Sequence, residues 1–281
     1  MKKILVPVDF SDCSLAAADI AIQVASKAKA EIYFLHLYPE QGERHVPTTV
    51  RAMAADDERK KIEGSIRSDL NKLVSQAEHE GLKATAVLAF TKAQEWIEDY
   101  VRPYKIDLVV MGSHGLSGFS DEIVGSTTVR FIRHANVPVL VIKKKIEKFN
   151  IRRIVFASDF KIDLINIFRE VINIASLYTA AIHLLYICTP YHFVATRKVL
   201  FDMKRFMHQF RKVNYTPHVY NAVTEAGGVH EFSEENQIDL IVLTTRGRTG
   251  FFKMFAPSIA ENIVKQESTP LLVVNIKTLK K

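Results

Sequence analysis

Cysteine is scarce in this 281-residue chain: only Cys13 and Cys188 occur, far apart, with no CxxC or other metal-ligand spacing. That excludes a disulfide scaffold and a cysteine-based zinc site, and it reads as two structural thiols in a reducing cytosol. Long apolar runs are absent as well: none approaches the roughly 18–20 residues that cross a bilayer. The start, Met1-Lys2-Lys3-Ile4-Leu5-Val6, imitates a signal peptide only briefly, because Pro7 and Asp9 interrupt its apolar core. Catalytic signatures are missing too. There is no Walker A lysine motif, no GxGxxG, no G-x-S-x-G elbow and no HExxH. The neighbours Ser113 and His114 do not amount to a triad, and no carboxylate pair is marked as acid and base.

What remains is a soluble, globular composition, 48% hydrophobic and 25% charged, long enough for two domains. The net charge of +7 favours anionic ligands. Part of it lies in Lys143-Lys144-Lys145 and in Lys277, Lys280 and Lys281, which read as a solvated linker and tail. No zinc-finger, RRM or KH signature accompanies these cations. Neither nucleic acid nor a membrane is expected as a partner, and the expected location is cytoplasmic.

The chain repeats itself. Ile4-Leu5-Val6-Pro7-Val8-Asp9-Phe10 matches Ile154-Val155-Phe156-Ala157-Ser158-Asp159-Phe160 at an offset of 150 residues. Ile106-Asp107-Leu108-Val109-Val110 matches Ile238-Asp239-Leu240-Ile241-Val242, and Val137-Pro138-Val139-Leu140-Val141 matches Thr269-Pro270-Leu271-Leu272-Val273, both at 132. The offsets differ by 150 − 132 = 18, so the first half holds an extra segment. The polar stretch from Glu40 to about Arg59 is its expected place, as a surface loop or a helix extension. Repeats this long are domains, with bounds of 1–145 and 150–281.

Within the first repeat, strands are expected over residues 3–8, 31–37, 84–90, 107–111 and 138–142. Helices are expected over 14–28, 55–80, 93–102 and about 125–135. Alternating strands and helices imply a parallel sheet flanked by helices, with ligands beyond the carboxyl ends of the strands. By analogy with such folds, a 3-2-1-4-5 order would set Asp9 beside Gly112.

After the apolar run Asp107–Met111 comes Gly112-Ser113-His114-Gly115, then nine residues, then Gly125-Ser126 and a helix-like stretch. Glycines let a backbone pass close to a phosphate, and a helix N-terminus offers unpaired N–H donors. The loop reads as a nucleotide-phosphate cradle.

At these residues the chain resembles the universal stress protein family, as a tandem member with two such domains. Gly112, Gly115, Gly125 and Ser126 fit the family's G-x2-G-x9-G-[S/T] spacing. The opening Ile4 to Ser11 and the closing Arg133 to Val141 resemble its first strand and its last helix and strand. The resemblance implies two tandem Rossmann-like domains of the adenine nucleotide alpha hydrolase type, each a five-stranded parallel sheet flanked by helices. It implies ATP as ligand, with or without magnesium, at Pro7, Val8, Asp9, Leu37, Met111, Gly112, His114, Gly115, Gly125, Ser126 and Thr127. Asp9 would hold the ribose or the adenine edge, or else serve as a helix cap in competition with Ser11. Val8 and Leu37 are either two walls around the base or plain core. Gly112 and Gly115 either approach phosphates or make an ordinary turn. Gly125, Ser126 and Thr127 would offer backbone N–H groups, with Ser126 as N-cap. Met111 is core or a base contact, and His114 a phosphate contact or an exposed loop residue. Asp121 and Glu122 would repel a triphosphate unless a divalent cation intervenes or they point outward.

The second repeat lacks most of this cradle: Thr244 and Pro257 replace the first and third glycines, while Gly247, Ser258 and Asp159 remain. Proline has no N–H to offer a phosphate. The second domain is expected to be mainly structural, with Arg246 and Arg248 as its remaining anion attractors. The favoured function is a nucleotide-binding regulator of the stress response. A weak ATPase and a ligand-free interaction scaffold are the alternatives. The last strands of the two repeats are expected to pair inside the chain as a pseudo-dimer, with a homodimer as a further level.

Overall fold

The computed structural model describes residues 1–39, 49–91, 96–113, 126–160, 164–210, 213–245, 263 and 267–275. In the first half the elements run β1 (Lys3–Pro7), α1 (Asp12–Ala28), β2 (Glu31–Pro39), α2 (Thr49–His79), β3 (Ala84–Thr91), α3 (Glu98–Val101), β4 (Leu108–Gly112), α4 (Ser126–His134) and β5 (Val139–Ile142). In the second they run β6 (Arg153–Ala157), α5 (Ile165–Tyr178), β7 (Ala181–Cys188), α6 (Thr196–Met207), β8 (Tyr215–Asn221), α7 (Glu225–Glu235), β9 (Leu240–Thr245) and β10 (Leu271–Asn275).

All ten described strands form one sheet, ordered β3-β2-β1-β4-β5-β10-β9-β6-β7-β8. Each half keeps the expected 3-2-1-4-5 order. The one antiparallel pair among the described strands joins the halves, with Val139, Leu140 and Val141 facing Val273, Leu272 and Leu271. This removes two apolar edges that would otherwise invite other chains. Because β5 and β10 are antiparallel, the carboxyl ends of the two halves' strands lie at opposite edges of the sheet.

Parallel strands are buried on both faces, and alternate side chains separate two cores. Ile4, Val6 and Val8 face α1 together with Ile32 and Phe34. Leu5, Val109 and Met111 face the other way, toward Phe131 and Ile132 of α4. A cluster of Phe156, Phe160, Phe168, Phe206 and Phe210 fills the core beneath α5 and α6, with ring centroids 4.9–6.4 Å apart.

The repeat reaches down to single backbone angles. The six described non-glycine residues with positive φ pair at the sequence offsets: Phe10 with Phe160, Lys29 with Thr179, and Lys105 with Gln237. Asp107 accepts from the Lys2 and Lys3 N–H groups, as Asp239 does from Arg152 and Arg153.

Four expectations need correction. The second helix starts at Thr49, not at 55, so the extra residues of the first half lengthen a helix: α2 has 31 residues where α6 has 12. The helix expected over 93–102 is described only as the short turn Glu98–Val101, with 92–95 outside the described residues. Gly112 does not follow β4 but ends it, paired with Ile142. The segment after β5 is not simply solvated: Phe149 is buried, its N–H donates to Gln23 Oε1 at 2.8 Å, and its ring meets Tyr178 edge-on.

Candidate functional site

The carboxyl ends of β1 and β4 lie side by side, because Ile4 and Leu5 pair with Leu108 and Val109. Three elements converge there. The first is the turn from β1 into α1. Asp9 Oδ1 accepts from the Ser11 N–H at 3.1 Å and from Ser11 Oγ at 2.6 Å. Ser11 in turn caps α1, its Oγ accepting from the Ser14 N–H at 3.3 Å. Between these residues the chain turns through Phe10 at φ 63°. That left-handed geometry is unfavourable for a bulky side chain and costs on the order of 1–2 kcal/mol. The Phe10 ring is held by stacking on His36 at 5.0 Å, and the His36 ring is fixed through Nδ1 on the Val8 carbonyl at 2.8 Å.

The second element is the end of β4. The Ser113 N–H donates to the Ile142 carbonyl at 2.8 Å, keeping the chain in line with β5 for one residue beyond Gly112. Cys13, in the first turn of α1, donates its thiol to the same carbonyl at 3.2 Å. The third element is α4. Thr128 reaches back from its first turn and donates Oγ1 to the Gly112 carbonyl at 3.0 Å, in a buried position. The start of α4 is thus fastened to the end of β4, and the opening N–H groups of the helix remain without intrahelical acceptors.

Of the candidate residues, the structure brings together Pro7 at the end of β1, and Val8 and Asp9 after it, with Met111 and Gly112 of β4, and α4 opens at Ser126 and Thr127. His114, Gly115 and Gly125 lie outside the described residues, as do Asp121 and Glu122. Val8 and Leu37 do not form two walls of one pocket. Val8 is buried in the core under α1, whereas Leu37 packs with the core on the opposite face of the sheet. Met111 is buried in that opposite core. Ser11, not Asp9, is the helix cap, and Asp9 braces it.

Gly112 has a local reason to be glycine. A Cβ there would stand 3.0 Å from both the carbonyl carbon and the Sγ of Cys13, and 3.1 Å from its carbonyl oxygen. The close approach of β4 to α1 therefore requires it. In the second half, Thr244 takes this position, buried and paired with Val274.

Sequence reasoning missed Phe10, His36, Thr128 and Lys143. The recurrence of Asp-Phe at Asp9-Phe10 and Asp159-Phe160 was the available signal for the first. Lys143, expected as solvated linker, is partly buried one residue beyond β5. Burial holds its ammonium below the ordinary lysine range, while Glu267 pulls the other way. Glu267 is only 1% exposed and stands where the first half has Ala135. Burial raises its carboxyl above the usual range, against the opposing pull of His230, whose Nδ1 lies 3.1 Å from Oε1. Among the described residues no group of three or more His, Cys, Asp or Glu side chains is arranged to hold a metal. No described helix is long and apolar enough to cross a membrane.

Comparison with known proteins bears on both halves. The model of the universal stress protein family matches residues 1–143 and again 150–275. A universal stress protein of Methanocaldococcus jannaschii, MJ0531, is 36% identical over 144 residues, covering 51% of this chain and 82% of the relative. Universal stress protein YxiE of Bacillus subtilis is 27% identical over 149 residues, covering 50% of this chain and 98% of its own. A crystal structure of a universal stress protein from Archaeoglobus fulgidus superimposes with a TM-score of 0.72 at 18% identity, over 97% of this chain and 96% of that one. At that identity the likeness is one of fold.

Proposed function

The chain belongs to the universal stress protein family across both of its halves, and from that premise we propose that it is a nucleotide-binding regulator of the stress response. ATP is the ligand of this reading, held at the carboxyl edge of β1 and β4 in a first domain of residues 1–145. The second domain, 150–281, is a mainly structural partner. Binding, not turnover, is the proposed activity, and the cytoplasm its place.

One observation carries the reading: the spacing Gly112-x2-Gly115-x9-Gly125-Ser126 joins a strand end and a helix start that Thr128 fastens together. Such a junction aims backbone donors and the positive end of a helix at whatever lies before it. The donor set suits a nucleotide. Asp9, part-exposed at the strand end, accepts from hydroxyl or amino groups, and the opening N–H groups at Ser126 and Thr127 suit phosphate oxygens. Gly115 and Gly125 would let the loop backbone close on the phosphates, with His114 beside them. Pro7 and Leu37, half-buried at their strand ends, would border the ligand, while Val8 and Met111 back the site from the two cores. Magnesium would come with the triphosphate and offset its repulsion by Asp121 and Glu122.

The test is direct. Denaturing the purified protein should release a nucleotide into the supernatant, and titration calorimetry on emptied protein should register ATP. Asp9→Asn keeps the acceptor for Ser11 but loses the charge, so ATP affinity should fall about tenfold or more while the unfolding midpoint holds. Equal ATP binding by wild type and Gly125→Pro would overturn the cradle assignment.

A further inference from the structure

Five of the six large hydrophobic side chains exposed among the described residues fall in one region of the second half. Tyr191 is 88% exposed, Phe193 78%, Val223 78%, Phe201 64% and Leu200 40%. The fold explains their proximity. β7 and β8 end side by side at Cys188 and Asn221, and the Ala222 N–H donates to the Cys188 carbonyl at 3.1 Å. His192 Nδ1 meets Glu225 Oε1 at 3.1 Å, tying the loop that carries Tyr191 and Phe193 to the one that carries Val223. Helix α6 leaves this loop at Thr196.

The helix has two faces of different character. Val199, Met203, Phe206 and Met207 form its buried stripe on the phenylalanine core. Arg197, Lys198, Leu200, Phe201, Lys204 and Arg205 are exposed at helical spacing on the other side. Across residues 189–208 four Lys and Arg oppose the single acid Asp202, a net +3. Asp202 engages Lys198 at 3.1 Å and Arg205 at 3.6 Å. Arg197 and Lys204 stand outside those two pairs, on either side of Phe201 in the exposed stripe.

The first half supplies an internal control. Between residues 59 and 79 of α2 the exposed side chains are charged or polar, and no large hydrophobic is exposed. Within this described part of α2, the shared scaffold does without the apolar projections that α6 carries at Leu200 and Phe201.

We infer that this face is a docking surface for an anionic lipid bilayer. Cations interspersed with protruding aromatic and aliphatic side chains satisfy both parts of an interfacial membrane: the negative headgroups and the apolar layer just beneath them. Tyr191 and Phe193 project from a loop instead of lining a groove, which suits a deformable surface better than a rigid protein partner. Leu200 and Val223 add apolar area that cannot stack on bases, which disfavours single-stranded nucleic acid. The inference departs from the expectation that no membrane is a partner, and it implies no span, only peripheral attachment. The face lies at the sheet edge opposite the proposed nucleotide site, so its test is independent of ATP.

The experiment is co-sedimentation of the full chain with vesicles of phosphatidylcholine alone and of phosphatidylcholine with phosphatidylglycerol. Binding should require the anionic lipid and weaken with added salt. Arg197→Gln/Lys204→Gln should lower the partition coefficient by about 25-fold, at about fivefold for each cation lost near the surface. Phe193→Ser/Phe201→Ser should weaken binding while preserving its salt dependence. All four positions are exposed, so the unfolding midpoint serves to confirm that the variants remain folded. No sedimentation with anionic vesicles, equal sedimentation with neutral ones, or wild-type partitioning by both double variants would each overturn the inference. So would a preference for single-stranded oligonucleotide over vesicles, which would assign the face to nucleic acid.

Discussion

Gly112→Ala separates two roles that one residue carries. The added methyl would sit 3.0 Å from Cys13 Sγ and from its carbonyl carbon, and 3.1 Å from its carbonyl oxygen. Such separations are tighter than ordinary van der Waals contact, and two of the three opposing atoms are backbone. They cannot swing aside as a side chain would, because Cys13 lies in the first turn of α1, whose entry is held by Ser11, Ser14 and Asp9. On the other side the strand is pinned by Ser113 N–H to Ile142 and by Thr128 to the Gly112 carbonyl. Overpacking in such a place costs about 1–3 kcal/mol. At about 2–4 °C per kcal/mol, the thermal midpoint should drop by roughly 2–12 °C. Cys13→Ala in the same chain removes the sulfur contact and leaves the two backbone ones, so the double variant should recover only part of the loss. Thermal and urea unfolding of the emptied protein read this without any nucleotide present. If Gly112→Ala unfolds like wild type yet binds ATP poorly, the seating of α1 on β4 is not what requires glycine. The phosphate approach would then be the whole reason.

Two further outcomes follow from buried titratable groups. Burial raises the Glu267 carboxyl above its ordinary 4.5, so the folded protein holds this proton more tightly than the unfolded chain. Its contribution to stability therefore falls as pH rises from the ordinary value through the raised one. Glu267→Gln should remove that fall and stabilise the protein at neutral pH by on the order of 1 kcal/mol, and a less stable variant would mean that the pairing with His230 and Lys143 outweighs the burial. His183 and His218 sit 3.0 Å apart, Nδ1 to Nε2, and burial lowers both below their ordinary 6.5, with Arg153 adding to the effect on His183 and His183 to that on His218. The unfolded chain then takes up protons first, so stability is lost as pH drops below that ordinary value; His218→Gln should lose less, and parallel midpoint-against-pH curves for variant and wild type would refute the assignment.

The frame of the molecule was legible because it rests on periodicity and repetition. Ile4-Leu5-Val6 and Leu108-Val109-Val110 are short apolar runs bounded by charge, which is how a strand buried on both faces reads. The offset between Asp107 and Asp239 carried the same information as the bonds these residues make to the preceding strands. The pairing of Val139–Val141 with Leu271–Val273 was expected from the family resemblance, and covering two apolar edges in one chain is its physical reason. What failed was the direction of side chains at strand ends. Val8 and Leu37 stand near one edge in sequence terms, but the period of two places them on opposite faces. Charge in context was equally illegible. Lys143 belongs to a run of three lysines that looks solvated, and only the tertiary structure brings it under the influence of Glu267. Gly112 matched a ligand motif, while its tightest described neighbour is Cys13, 99 residues away and invisible to any local pattern.

The two halves share what holds the fold and differ in what a ligand would meet. Left-handed turns at Phe10 and Phe160, at Lys29 and Thr179, and at Lys105 and Gln237 recur because each lets the chain turn between a strand and a helix. Gly112 against Thr244 and Ala135 against Glu267 are departures in buried places, and α2 against α6 is one on the surface. A duplication kept only for stability would have no need to expose Phe193 and Phe201 or to bury a carboxylate. The antiparallel junction gives these differences a geometry. It turns the proposed nucleotide edge of the first half away from the apolar, basic edge of the second, so that each can be occupied without obstructing the other. At the junction, the charges of Lys143 and Glu267 act on each other across the two halves. Asn275 Nδ2 donates to the Arg133 carbonyl at 3.3 Å, tying the end of β10 to the last turn of α4. The helix whose start is proposed to receive phosphates is therefore anchored at its other end by the second half. A domain without the full glycine motif can thus still set the position of the site in its partner.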